Sequence, residues 1–167
     1  MEKKSMTTAR RVRGSRGVLP LECVNERRGL WRVRWDVSET ADGMAEYMEA
    51  EADHRPTLDE VRAVVTGWHN ARTDERILSG FEYEGVKVWL STENQFNYKA
   101  AYDAAVMSGG KTLPVRFKLG TDASPVYRDF GTVEELADFY YKSLAYIQGV
   151  LEEGWAAKDA VDWGRYE

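Results

Sequence analysis

From Val18 the chain alternates apolar and polar positions, first over Val18–Val24 and then over Leu30–Val37. The second run sets Trp31, Val33, Trp35 and Val37 on one face and Arg32, Arg34 and Asp36 on the other, the period of two of a half-buried strand. Asn25–Gly29 supplies a polar connection ending in glycine, so the two runs predict a hairpin. Residues 38–56 are acidic and rich in Ala, Met and Glu, which predicts a short helix around Met44, Tyr47 and Met48 that stops before Pro56. Thr57-Leu58-Asp59-Glu60 then reads as a capping box, in which the threonine hydroxyl and the glutamate satisfy amides left open at a helix start. Leu58, Val61, Val65 and Trp68 continue at helical spacing, predicting a helix from Leu58 to Arg72.

The pattern recurs twice. Ile77–Leu90 predicts a hairpin with its turn at Glu84-Gly85, placing Val86, Val88 and Leu90 on one face and Lys87 and Trp89 on the other. Thr92-Glu93-Asn94-Gln95 repeats the cap, Phe96, Ala100 and Met107 follow on one helical face, and Ser108-Gly109-Gly110 ends that helix. Pro114–Leu119 and Val126–Phe130 predict a third hairpin, and Thr132-Val133-Glu134-Glu135 a third cap. Val133, Leu136, Ala137, Tyr140, Leu144, Ile147 and Leu151 carry the last helix. The fold class is therefore α+β, antiparallel hairpins each followed by a capped helix, in two layers. The spacing is irregular and no residue motif is shared, so the recurrence is one of architecture.

At 167 residues the chain has the size of one domain, expected over residues 17–167. A net charge of -5 conceals an uneven distribution: residues 1–34 carry ten basic and three acidic side chains, and the remainder thirteen and twenty-five. Residues 1–16 are expected to form a mobile basic arm. Their arginines lack the interleaved aromatics that stack on bases, so a nucleic-acid-binding accessory role is the secondary reading. Mean hydropathy is -0.55 and no apolar run approaches the roughly 20 residues of a membrane span, so no membrane association is expected. The basic N-terminus is not followed by the apolar stretch of a signal peptide, and no secretion is expected.

Candidate chemistry is sparse. Cys23 is the only cysteine, which excludes an internal disulfide, and its apolar setting predicts a small buried hydrophobe. His54 and His69 have no second ligand at metal spacing. Gly109-Gly110-Lys111-Thr112 resembles the end of a phosphate loop, but the glycine required five positions earlier is Ala105 and the order of helix and strand is reversed. No Gly-x-Ser-x-Gly elbow occurs, and the neighbouring glutamates Glu134-Glu135 and Glu152-Glu153 face different directions on a helix. The chain is expected to be no enzyme, with no catalytic, metal or cofactor-binding residues.

Residues 77–158 resemble a domain of unknown function found in phage and prophage proteins, often beside tail-fibre or tail-fibre-assembly segments. The resemblance rests on Gly80-Phe81-Glu82-Tyr83-Glu84-Gly85, on Gln95 and Asn97, and on Phe139-Tyr140 with Leu151 and Gly154. It implies a structural or assembly role in a phage tail, in the bacterial cytoplasm during assembly or in the virion, with tail or tail-fibre proteins as partners. Residues 1–76 carry no such resemblance.

Six tryptophans and nine tyrosines are more than one core of this size need use, so the alternatives are an aromatic surface that holds a partner or a second copy of the chain, and intramolecular packing of the same rings. Trp89 shares its strand face with Lys87, and Trp155 and Trp163 follow the best periodicity of the last helix. These three are the candidate partner-binding residues.

Overall fold

Arg10–Gly14 (β1), Leu21–Asn25 (β2), Leu30–Glu39 (β3) and Ala45–Ala52 (β4) make one antiparallel sheet, ordered β1-β4-β3-β2, in the computed structural model, which describes residues 6–167. Strand β4 overturns the expected helix around Met44, Tyr47 and Met48. Its composition favours helix, but hydrogen bonding to β1 on one side and β3 on the other, with apolar partners on one face, outweighs propensity. Met48 lies opposite Trp35, Ala50 opposite Val33 and Ala52 opposite Trp31, while Glu49 and Glu51 oppose Arg34 and Arg32 on the other face. A bulge after Trp35, with Asp36 at φ 53°, breaks the alternation, so Val37 is exposed and not part of the expected apolar face.

Residues 1–5 of the expected basic arm lie outside the described residues. From Arg10 onward the basic segment is β1, held by charge as well as by backbone pairing. Arg10 pairs with Glu49 at 3.7 Å, Arg11 with Asp36 at 2.5 Å and Arg16 with Glu39 at 3.4 Å, and Arg13 with Asp42.

The chain divides into two compact units. The first takes in the chain up to His69 and then Lys158–Glu167. One face of its sheet packs on helix α1 (Leu58–Ser79), where Val33, Trp35, Met48 and Ala50 meet Val61 and Val65. Trp68 stands edge-on to Trp35 at 6.3 Å. The reciprocal cap predicted for α1 is present: the Glu60 amide donates to Thr57 Oγ1 and the Thr57 amide to the Glu60 carboxylate. A one-turn 3-10 helix, Trp163–Tyr166, closes this core, and the Tyr166 hydroxyl donates to the Arg34 carbonyl at 2.9 Å.

The second unit, Asn70–Ala157, holds hairpin Phe81–Tyr83 (β5) and Val86–Val88 (β6), helix Thr92–Met107 (α2), hairpin Val115–Gly120 (β7) and Pro125–Phe130 (β8), and most of helix Val133–Asp159 (α3). Glu84 and Gly85 both have positive φ, the geometry of a two-residue turn that follows strand twist. Its core is a set of rings: Phe139 meets Tyr83 at 5.0 Å, Tyr98 at 4.9 Å and Phe130 at 5.1 Å. Gly154 is the close approach of α3 to α1, where a Cβ would collide with Thr73. Both units set helix against antiparallel strands, the expected α+β class. Among the described residues no helix is long and apolar enough to cross a membrane.

Helix α2 turns the other way from expectation. Tyr98 and Ala105 are buried, with Ala101 and Tyr102 packed against the core, and Phe96, Ala100 and Met107 point outward. Both sets recur at helical spacing, and the pairing of Tyr98 with Phe117 at 4.7 Å and with Phe139 decides between them. The cap is shifted one residue as well. Ser91 accepts from the Asn94 amide, and Gln95 donates to the Leu90 carbonyl rather than closing a box with Thr92. Gly109 and Gly110 end the helix with amide bonds to the Val106 and Ala105 carbonyls.

Candidate functional site

In the second unit, alternation forces polar and aromatic side chains into one cleft. Val88 and Leu90 are buried, so Lys87 before Val88 and Trp89 between the two point out; Phe117 and Leu119 likewise turn Lys118 outward. The resulting cleft, of about 590 Å³, is lined by Ser79, Lys87, Trp89, Asn94, Lys118 and the β7–β8 turn through Asp122. Its backbone is tied at short range. Asn94 Nδ2 donates to the Trp89 carbonyl at 2.7 Å and the Leu90 amide to the Leu78 carbonyl at 3.0 Å. Trp89 is nonetheless 51% exposed. Lys118 pairs with Asp122 at 3.3 Å, whereas Lys87 makes no ion pair among the described residues. A half-exposed indole in a cleft that two lysines also line can take a flat apolar group on its face and carboxylates nearby.

The other two tryptophans lie elsewhere. Trp155 is half-exposed on α3 and does not line the cleft. Trp163 belongs to the first unit, where it packs against the core with Tyr166 at 6.2 Å and the Arg62 guanidinium at 5.7 Å from its ring.

The ionisable clusters are structural. Arg34 (4% exposed) and Glu49 (2% exposed) are buried together; the guanidinium donates to Glu49 at 2.8 Å, Glu22 at 2.6 Å and the Leu19 carbonyl at 3.1 Å. Burial opposes the Arg34 charge, but the bonds to Glu49 and Glu22 prevail and raise its pKa. This network escaped sequence reading, although the register of Arg32 and Arg34 against Glu51 and Glu49 was its signal. His54 bridges Asp53 at 2.8 Å and Glu60 at 2.9 Å; the bond to Asp53 first, and that to Glu60, raise its pKa. Glu60 is lowered in turn by the Thr57 amide and by His54.

Tyr83 donates to Asp138 at 2.8 Å, and burial together with that bond pushes its pKa up to about 12; burial alone does the same to Tyr98. Both phenols stay protonated at neutral pH and serve packing. Cys23 is free and half-buried in β2, opposite Trp31. Among the described residues no group of three His, Cys, Asp or Glu side chains is placed to hold a metal ion.

A family model described as a domain of unknown function, DUF4376, matches residues 60–165, which include the whole second unit. No curated protein and no solved structure matches the chain.

Proposed function

The chain belongs to the DUF4376 family, and from that premise we propose that it is a tail-associated structural or assembly protein of a phage or prophage, working by protein–protein contact rather than by catalysis. The observation that carries the contact reading is Trp89. A large ring, half-exposed in a cleft that two lysines also line and carried on a backbone tied by Asn94, is an anchor for a partner side chain. The tail setting rests on the resemblance of residues 77–158, which lie inside the matched span. Lys87 and Lys118 favour an acidic segment of that partner.

The nucleic-acid reading is weaker, because Arg10, Arg11, Arg13 and Arg16 are each paired with a carboxylate of the same sheet or of its loops. Titration calorimetry between the full chain and the tail-fibre protein of the same phage tests the proposal. Binding in the micromolar range or tighter is expected, weakened at least tenfold by Trp89→Ala with unchanged far-UV circular dichroism. No binding, or equal binding by the variant, overturns it, as does a salt-sensitive gel shift lost on removing residues 1–16.

A further inference from the structure

The cleft beside Trp89 lies between two strands that run side by side and do not pair. Strand β7 passes beside β6, yet each stays in its own two-stranded sheet, and among the described residues no backbone hydrogen bond joins them. The ladders show which backbone groups this leaves open. Glu84-Gly85 is a two-residue turn, so Tyr83 and Val86 exchange the closing bonds and Lys87 turns its N–H and C=O away from β5. In the other hairpin Thr121 and Ser124 exchange both bonds, at 3.2 and 3.1 Å, and Pro125, opposite Gly120, has no N–H. Gly120 and Lys118 therefore turn their backbone groups away from β8. With β5 and β8 on the far sides, the two open edges face each other across the gap.

Backbone and side chains together say what fills that gap. Neighbouring strands that stay unpaired leave donors and acceptors at the spacing of an extended chain, which an added strand satisfies. Lys87 and Trp89 point out from the same side of the chain, two residues and roughly 7 Å apart. Lys87 stands opposite Glu82 in its ladder without an ion pair between them. Lys118 meets Asp122, itself fully exposed, at 3.3 Å. Two ammonium groups favour an acidic occupant, and the same edges of a second copy would set like charges side by side.

Resting on the contact reading of this cleft, we infer that the gap takes an extended acidic segment of the partner protein as an added strand. Its backbone bonds to the open edges at Lys87, Lys118 and Gly120. Residues two apart share a strand face, so an acid lies beside Lys87 when an aromatic residue two positions along lies on Trp89. The cleft, of about 590 Å³, falls in the range of roughly 300–1,000 Å³ that holds a ligand.

Calorimetry and amide exchange on the full chain test this with capped peptides of Thr and Val. A peptide carrying Asp and Tyr two positions apart is expected to bind with a Kd of about 100 μM or tighter. Its isomer with Asp and Tyr adjacent, which sets them on opposite faces, should bind at least tenfold more weakly, as should a version with Lys for Asp. Lys87→Glu should reverse the preference between the Asp and Lys peptides; the isomer comparison needs no variant and stands even if this one fails to fold. Bound peptide should slow exchange at the Lys87, Lys118 and Gly120 amides at least tenfold. Unchanged exchange there while the peptide binds, or equal binding of the isomers, overturns the inference and leaves Trp89-dependent capture of the tail protein standing. Absence of binding by every peptide overturns it too. So does protection of the same amides in the free chain at high concentration, the sign of a second copy in the gap.

Discussion

The two units of this chain spend their chemistry in opposite ways. In the first, charge is turned inward: Arg34 and Glu49 are buried together, and the arginines of β1 are satisfied by acids of the same unit. In the second, rings fill the centre, and apolar side chains left over from that centre stand in solvent: Trp89, Phe96, Met107 and Tyr127. An ion-pair network completes itself and leaves little for a partner to satisfy, whereas exposed apolar surface is stabilised only when something covers it. The family match spans the second unit entirely and the first only in part.

The sharpest way to break this contrast is at the ring core. Phe139→Ala removes a side chain that touches Tyr83, Tyr98, Phe117 and Phe130, and should cost about 4 kcal/mol in urea unfolding. A loss near 1 kcal/mol would mean that the core is not organised around that ring. Next comes the ion-pair face. Glu49→Ala leaves the Arg34 guanidinium buried beside an empty position and should cost about 3 kcal/mol. Arg34→Met/Glu49→Leu should cost far less in the same assay, because neither charge then remains to be solvated. Equal losses from both variants would show that packing, not charge, governs that face.

A smaller effect separates the units by pH. His54 has a raised folded-state pKa, so its contribution is full below its ordinary value of 6.5 and is lost as pH rises through the higher folded value. Glu60 is lowered, so its contribution is full above 4.5 and is lost as pH falls through the depressed folded value. Stability from this cap should therefore be greatest between 4.5 and 6.5. Its alkaline decline should vanish in His54→Gln, as denaturant midpoints at pH 5.5 and pH 8.5 would reveal. Smallest of all, Trp89→Ala should change stability by no more than about 0.5 kcal/mol, since half of its ring is already in water and its backbone ties remain.

Local chemistry made much of this legible in sequence. The cap at Thr57, the turn at Glu84-Gly85 and the outward Lys87 and Trp89 are decided within a few residues, and all were readable. What was not readable depended on distant partners. Strand β4 looks helical until β1 and β3 are placed on its two sides, and either apolar face of α2 would serve as the inner one until Phe117 and Phe139 select Tyr98. The cleft was half visible: alternation exposed Trp89, but Lys118 and Asp122 join it only because β7 and β8 fold back beside β6. The Arg62 guanidinium near the Trp163 ring was not readable, because α1 and the C-terminal segment are far apart in sequence.

Tyr166 lies nine residues beyond the last of the second unit, and its hydroxyl holds the carbonyl of Arg34 in the first. Synthesis runs from N-terminus to C-terminus, and folding units assemble as they emerge. The sheet of β1 to β4 therefore leaves the ribosome first and is finished last: residues 70–157 are made in full while the floor of the older core is still untranslated. During that interval Val33, Trp35 and Met48 have α1 with Met6, Ala9 and Leu21 to cover them but not Val161, Trp163 or Tyr166, and the nascent chain exposes a sticky seam until those three arrive.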